Sequence, residues 1–410
     1  MTQVVATKRD LPFWKRPFSF TFLIDLTTVL YIISVYTFSF NELNFISKGL
    51  AFILMALLAI YALQKKSIRF DGLGICLSLF TVICLLSCLW ALEISVAFSD
   101  TVTMVQILIL VILLYNYIQK EEKAELFITV MCIAATIFAI YTVFYFGIEE
   151  YFKGLEEGDR MGTGINNVNA IGMMTANAFI LNLWQIFYRK KWIYILPAGI
   201  CLVVSLGAAS RTAVAGLIVG TFALFVFKGR GYKRLFSLLQ CAGILLLLYL
   251  ILQLPAFDVF MDRIDKMILA FFGESGADNA SQVRLEMVEL GLQTFYKYPI
   301  SGVGIGNSGI ITQQLGFSTY LHNNYIELLA SVGIIGTVIY YLMFIIPFGK
   351  TIKPAFKENQ YAVIAVALII MNLLFHIGTV QYYNKVSYLY IILFFVCIKK
   401  TRGYKDVEKD

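Results

Sequence analysis

Arg160, Arg211, Arg284 and His322 are the residues of this 410-residue chain whose types could do chemistry together. Guanidiniums stay ionised and bind phosphate oxygens through a planar fork of donors. An imidazole, with an unperturbed pKa near 6.5, takes or releases a proton at ordinary pH. Three of the first and one of the second could hold an anionic leaving group and move a single proton.

Each residue also has an ordinary reading. Arg160 follows Glu156, Glu157 and Asp159 and could simply pair with them, as surface ions often do. Arg211 lies in Ser210-Arg-Thr-Ala213, a turn between two apolar runs with no carboxylate adjacent in sequence. Its charge is costly there unless it snorkels to carbonyls or meets an anion. Arg284 borders the apolar face of a predicted amphipathic helix, where a cation facing lipid headgroups is equally natural. His322 opens Leu321-His-Asn-Asn-Tyr-Ile-Glu-Leu-Leu329, where it could hydrogen-bond the first turn of a helix. The second histidine, His376, lies deep in an apolar run and reads as a satisfied interior residue.

The elements that must position these groups follow from composition. Hydrophobic residues make up 59% of the chain and charged residues only 14%, with a mean hydropathy of +0.77, which indicates an integral membrane protein. A spanning helix needs roughly 20 apolar residues. Such runs fall at 20–40, 46–64, 72–92, 102–118, 125–147, 168–187, 192–208, 212–227, 235–254, 323–349, 360–379 and 386–398. The first lacks a small-residue cleavage site and reads as a retained helix. The chain is therefore expected to be one all-α membrane domain, 1–410, with about twelve spanning helices.

Placing both termini in the cytoplasm puts 24 of the 33 Lys and Arg residues in inner loops, at least two in each. The four candidate residues then share the outer side. The net charge of +7 reflects this topology. Basic residues spread over seven loops form no nucleic-acid patch. Cys76, Cys84, Cys88, Cys132, Cys201, Cys241 and Cys397 all sit inside apolar runs without metal or redox spacing.

Two outer segments are long: 147–167, and 255–321, which exceeds an ordinary connector. Within the second, Ser281 to Tyr298 reads as an amphipathic helix with Val283, Met287 and Leu290 on one face, closed by Pro299. Gly302, Gly304 and Gly306 follow and permit tight turns and close approach to a bound group. Asp258, Asp262 and Asp265 would share a helical face, but Arg263 and Lys266 are interleaved, so a solvated mixed-charge face is the favoured reading over a cation site. Inside the runs Asp25 and Glu327 are the clear ionisable residues. That is too few for the buried carboxylates of most ion-coupled transporters.

Taken in order, these segments resemble the bacterial O-antigen ligase and polymerase superfamily, which joins glycans carried on undecaprenyl pyrophosphate. The resemblance rests on Arg160 and the Asn-rich stretch through Asn169, on Ser210-Arg211-Thr212, and on Arg284 ahead of Pro299 and the glycine series. It ends with His322-Asn323 leading to Glu327, Gly333 and Gly336. It implies a glycosyltransferase C-like helical bundle in the bacterial cell membrane, with the site on the periplasmic or extracellular side. Arg160, Arg211 and Arg284 would then grip the donor's pyrophosphate and His322 would be catalytic. Asn323, Glu327, Ser210 and Asn169 would support them, with no metal and no cofactor. The implied partners are an undecaprenyl-pyrophosphate-linked oligosaccharide, a glycan acceptor and membrane lipids. Asn166-Asn-Val-Asn169 stands where many relatives have Asn followed by Pro-Asn.

By resemblance alone, the compact length and the form of the His-Asn-Asn-Tyr-Ile-Glu segment look more like repeat-unit polymerases, whose acceptor is lipid-linked glycan, than like a ligase that transfers to lipid A core. A lipid-glycan flippase is the alternative from a different class, and it would need cations lining a path through both leaflets.

Overall fold

The computed structural model describes residues 19–39, 42–157, 161, 165, 167–229, 232–258, 261 and 279–407. These residues are helical with no strands among them. The chain is a polytopic helical membrane protein. Among the described residues, seven helices are long and apolar enough to cross a bilayer, and four more apolar helices are shorter.

In chain order the helices are α1 (Phe20–Phe38), α2 (Asn44–Lys65), α3 (Gly72–Ser87), α4 (Ile94–Lys120), α5 (Ala124–Phe146), α6 (Ile148–Glu156) and α7 (Val168–Phe187). There follow α8 (Ile195–Gly207) behind a short 3-10 turn, α9 (Arg211–Val226), α10 (Tyr232–Leu252) and α11 (Asn279–Lys297). The last are α12 (Ser308–Ile311), α13 (Asn324–Phe356), α14 (Gln360–Phe375) and α15 (Lys385–Val407). All twelve expected runs are helical. The segment 147–167, expected to be a loop, contains α6, whose Tyr151 and Leu155 are buried while Glu149, Glu150 and Lys153 face out. Its apolar face is only two residues wide, too short for a spanning pattern to reveal.

The centre of the bundle is α7, α14 and α15. Residues 171–186 of α7 and most of α14 are buried. α7 packs on α8 and α9, α9 on α14, and α13 on α3, α14 and α15. Peripheral helices instead expose large apolar side chains, such as Phe52 on α2 and Phe236 on α10. Such surfaces suit a hydrocarbon solvent, in which each helix satisfies its own backbone.

Several boundaries differ from expectation: α4 begins at Ile94 and not at 102, α15 runs to Val407 and not to 398, and at two others tertiary contacts set the difference. The third run ends at Ser87, since the next residues turn to meet a distant segment: Leu92 N–H donates to Val303 O at 3.1 Å. The tenth run extends to Phe356 but is broken at Gly333 (φ 67°, ψ −173°), a conformation open essentially to glycine alone. The backbone of 299–304 docks in that break. Ile334 N–H donates to Pro299 O, and the amides of Val303 and Gly304 donate to Ala330 O and Ser331 O, all at 2.9 Å.

Contacts at one end join α5, the end of α7 and α14: Arg189 pairs with Glu125 at 3.0 Å and Trp184 Nε1 donates to Gln360 O at 2.8 Å. Asp25 belongs to this end. It is buried and held by Lys123 Nζ and by the Tyr117 hydroxyl, each at 2.7 Å, so its carboxylate is tied into the scaffold. His322 lies at the opposite end, before the first turn of α13.

Candidate functional site

The site grows from the N-terminus of α13. Asn323 caps that helix, its Oδ1 accepting from Tyr325 N–H at 2.9 Å and Ile326 N–H at 3.2 Å. The next residue, Asn324, is fully buried and works as a clamp. Its Oδ1 accepts from the amides of Gln381 (2.7 Å) and Tyr382 (3.0 Å), its Nδ2 donates to the Tyr341 hydroxyl at 3.0 Å, and its N–H donates to His376 O at 2.8 Å. On the other side of His322, Leu321 is buried and its N–H donates to Glu327 Oε2 at 2.9 Å. His322 is thereby pinned at both flanks and takes a left-handed backbone, φ 55°. For a residue with a Cβ that conformation is uncommon and is sustained by its neighbours.

This posture sets the ring of His322 against that of Tyr320, centroids 4.4 Å apart. Its Nδ1 is buried and has no hydrogen-bond partner among the described residues. Burial, and next the positive charge of Arg284, hold the imidazole pKa down to about 4. The ring is neutral at pH 7 and can accept a proton. Arg284 also acts on Tyr320, opposing the upward push of burial on that phenol.

Arg284 reaches this point because α11 is amphipathic as expected, with Met287 buried and Val283 and Leu290 packed beside it. That face covers Leu321, Ile311, Val303 and Ala330. A side chain at Gly291 would strike Ile326 and Leu321, so α11 lies directly on the start of α13.

The Asn-rich stretch arrives from the other side. Asn167 caps α7 and its Nδ2 donates to the Tyr320 hydroxyl at 3.0 Å. Asn169 lies in the first turn of α7, its N–H donating to Asn167 Oδ1 at 3.0 Å. Six residues before Asn167, Met161 N–H donates to Gly207 O at 3.0 Å, at the end of α8. Arg160 lies outside the described residues, between these anchors in sequence and Glu157.

Arg211 is the half-buried first residue of α9. The positive end of a helix dipole disfavours a cation and favours an anion there. Ser210 is buried and serves as the cap of α9, accepting from Ala213 N–H at 3.4 Å. Next to Arg211, Thr212 abuts Gly378, in the loop whose Gln381 and Tyr382 bind Asn324. Arg211, Arg284 and His322 therefore occupy one end of the bundle.

The glycine series behaves differently from expectation. Gly304 (φ 97°) approaches the chain itself: a Cβ there would lie 2.5 Å from the Ala91 Cβ. These residues fasten the outer segment to the α3–α4 turn, where Glu93 N–H donates to Asn307 Oδ1 at 2.6 Å. Close approach to backbone and to ligand demand the same residue, so sequence could not separate them. Asp258 is exposed, and Asp262, Asp265, Arg263 and Lys266 lie outside the described residues. His376 is buried, its Nδ1 3.2 Å from the Tyr341 hydroxyl, as an interior histidine should be.

Tyr320 and Asn324 are the residues that sequence reading passed over. Tyr320 stands two positions from His322 in irregular backbone, where no periodicity predicts ring contact. Asn324 could be found only as the second asparagine of the pair.

Glu327 is best tested by truncation. Glu327→Ala leaves the buried Leu321 N–H unpaired, which should cost about 1 to 3 kcal/mol. We expect a lower Tm in detergent, with Glu327→Gln, which keeps an acceptor oxygen, close to wild type. Equal Tm in all three proteins would refute the anchoring role.

Residues 193–341 match the profile of the family described as O-antigen ligase. The match takes in Ser210, Arg211, Arg284, His322, Asn323 and Glu327, and begins after Arg160 and Asn169. No individual curated protein matches the chain. Its members are glycosyltransferase-like O-antigen ligases and polymerases, with lipid-linked glycans and membrane lipids as the implied partners. The match spans residues 193–341 of the 410, inside a polytopic helical bundle, and supports a likeness to the O-antigen ligase/polymerase superfamily.

Proposed function

We propose that this protein is a polysaccharide polymerase for O-antigen or capsule repeat units, using undecaprenyl-pyrophosphate-linked glycan as donor and a second lipid-linked glycan as acceptor. The observation that carries the reading is a neutral, half-buried imidazole beside Arg284, its Nδ1 without a hydrogen-bond partner among the described residues, and with Arg211 at the same end of the bundle.

In the proposed step an acceptor hydroxyl attacks the anomeric carbon of the donor sugar. The C–O bond to pyrophosphate breaks, the electron pair leaves with the diphosphate, and the hydroxyl proton passes to His322. A single displacement inverts the anomeric centre. Arg160, Arg211 and Arg284 neutralise the leaving group, each preorganised contact worth on the order of 10² to 10³ in rate. Neither a general acid nor a metal is needed once that charge is held. Asn323, Glu327 and Ser210 support the site by capping and anchoring the backbone around it, and Asn169 by its place in the first turn of α7. The site faces the periplasmic or extracellular side and both termini the cytoplasm, as the count of basic residues requires.

Purified protein supplied with lipid-pyrophosphate glycan alone should build a ladder of longer lipid-linked chains. Transfer only after lipid A core is added would assign the ligase reaction instead.

The pH profile is a separate test. With the His322 pKa near 4, the acid limb of kcat/KM should fall well below pH 6.5. Arg284→Gln removes a charge that disfavours imidazolium, so its acid limb should move to higher pH even though its rate is lower. The same depression affects stability. It is neutral above the unfolded-state pKa of about 6.5 and destabilises the fold progressively as pH falls from there toward 4. An unshifted acid limb in Arg284→Gln would break the proposed coupling.

A further inference from the structure

A second charged cavity lies at the opposite end of the bundle from His322, between α3, α4, α13 and α15. It has a volume of about 290 Å³ and is lined by Arg69, Lys350 and Lys399, three cations brought from separate parts of the chain. The carboxylate in the lining, Asp71, is already engaged: it accepts from Leu73 N–H at 3.0 Å and from the Tyr115 hydroxyl. No ion pair to Arg69, Lys350 or Lys399 is formed among the described residues. Gln119 also lines the cavity, and its buried Nε2 has no hydrogen-bond partner there. The lining thus holds a surplus of donors and positive charge with too few acceptors, which is the complement of a phosphate group.

We propose that this cavity binds the headgroup phosphate of an anionic phospholipid. Its position favours lipid over free phosphate. The cations sit at helix ends where headgroups lie, and Phe395 forms part of the wall. Phe70, beside Arg69, is 62% exposed and offers an apolar edge to the glycerol and acyl region. Basic pockets between spanning helices are a known form of headgroup recognition, each cation contributing about fivefold in affinity.

The test is native mass spectrometry of the full-length protein titrated with phosphatidylglycerol or phosphatidylcholine, with inorganic phosphate as competitor. Wild type should retain phosphatidylglycerol preferentially. Lys350→Ala and Lys399→Ala should each weaken it about fivefold, and the double Lys→Arg variant should bind as wild type, showing that charge and not folding is at issue. Equal retention of both lipids, or unchanged phosphatidylglycerol binding in the double alanine variant, would overturn the proposal. Displacement of the lipid by millimolar inorganic phosphate would assign the cavity to a free anion and equally overturn the lipid assignment.

Discussion

We expect His322→Ala to lower kcat/KM for glycan transfer by roughly 10² to 10⁴, the usual contribution of a positioned general base. Folding should be little affected, because the backbone at 322 is held by its neighbours: Leu321 by Glu327, and the helix start by Asn323 and Asn324. The imidazole itself makes one ring contact, with Tyr320, and its Nδ1 bonds nothing among the described residues. The residual rate should respond to Arg211 and Arg284, which in the proposed step stabilise the leaving group whether or not a base is present. His322→Gln separates the two roles open to the ring. If the amide restores most of the rate, His322 orients the acceptor by hydrogen bonding. If Gln is as slow as Ala, proton acceptance is the requirement. A rate within threefold of wild type in both variants would remove His322 from the reaction.

The second large effect is structural. Gly333→Ala should destabilise the protein by about 3 to 5 kcal/mol, combining backbone strain with loss of the hydrogen bonds that dock residues 299–304. A Cβ at Gly333 would lie 2.1 Å from Ile300 O and 2.4 Å from Ile300 C. These are backbone atoms that no rotamer change can move aside. The docked segment must then leave α13 and release the amides of Val303, Gly304 and Ile334 from their partners. Because this segment follows α11 directly, Arg284 should lose its position beside His322, and transfer should fall along with Tm. Gly316→Ala is the control. Gly316 has a comparable φ of 78° but nothing within 4 Å, so only the modest backbone cost of roughly 1 kcal/mol should appear. If the two variants unfold at the same temperature, the break at Gly333 does not hold the outer segment.

The existence and order of the spanning helices were legible in sequence because burial in lipid demands long uninterrupted apolar runs, and such runs need no tertiary context to be read. The amphipathic α11 was legible for a related reason: Val283, Met287 and Leu290 repeat at the helical period. The candidate residues were also legible by type, since a guanidinium or imidazole at the edge of an apolar run is conspicuous by its desolvation cost. Only the tertiary structure decided their mutual placement. Asn167 reaches across 153 positions to Tyr320, Arg284 acts on His322, and Asn324 ties the start of α13 to the α14–α15 loop. Periodicity reports which face of one helix is apolar, but not which distant helix covers it. For the same reason the sequence showed that Gly304 permits close approach but not what comes close, and it did not mark the break at Gly333; that the chain's own backbone comes close at both was settled by long-range packing.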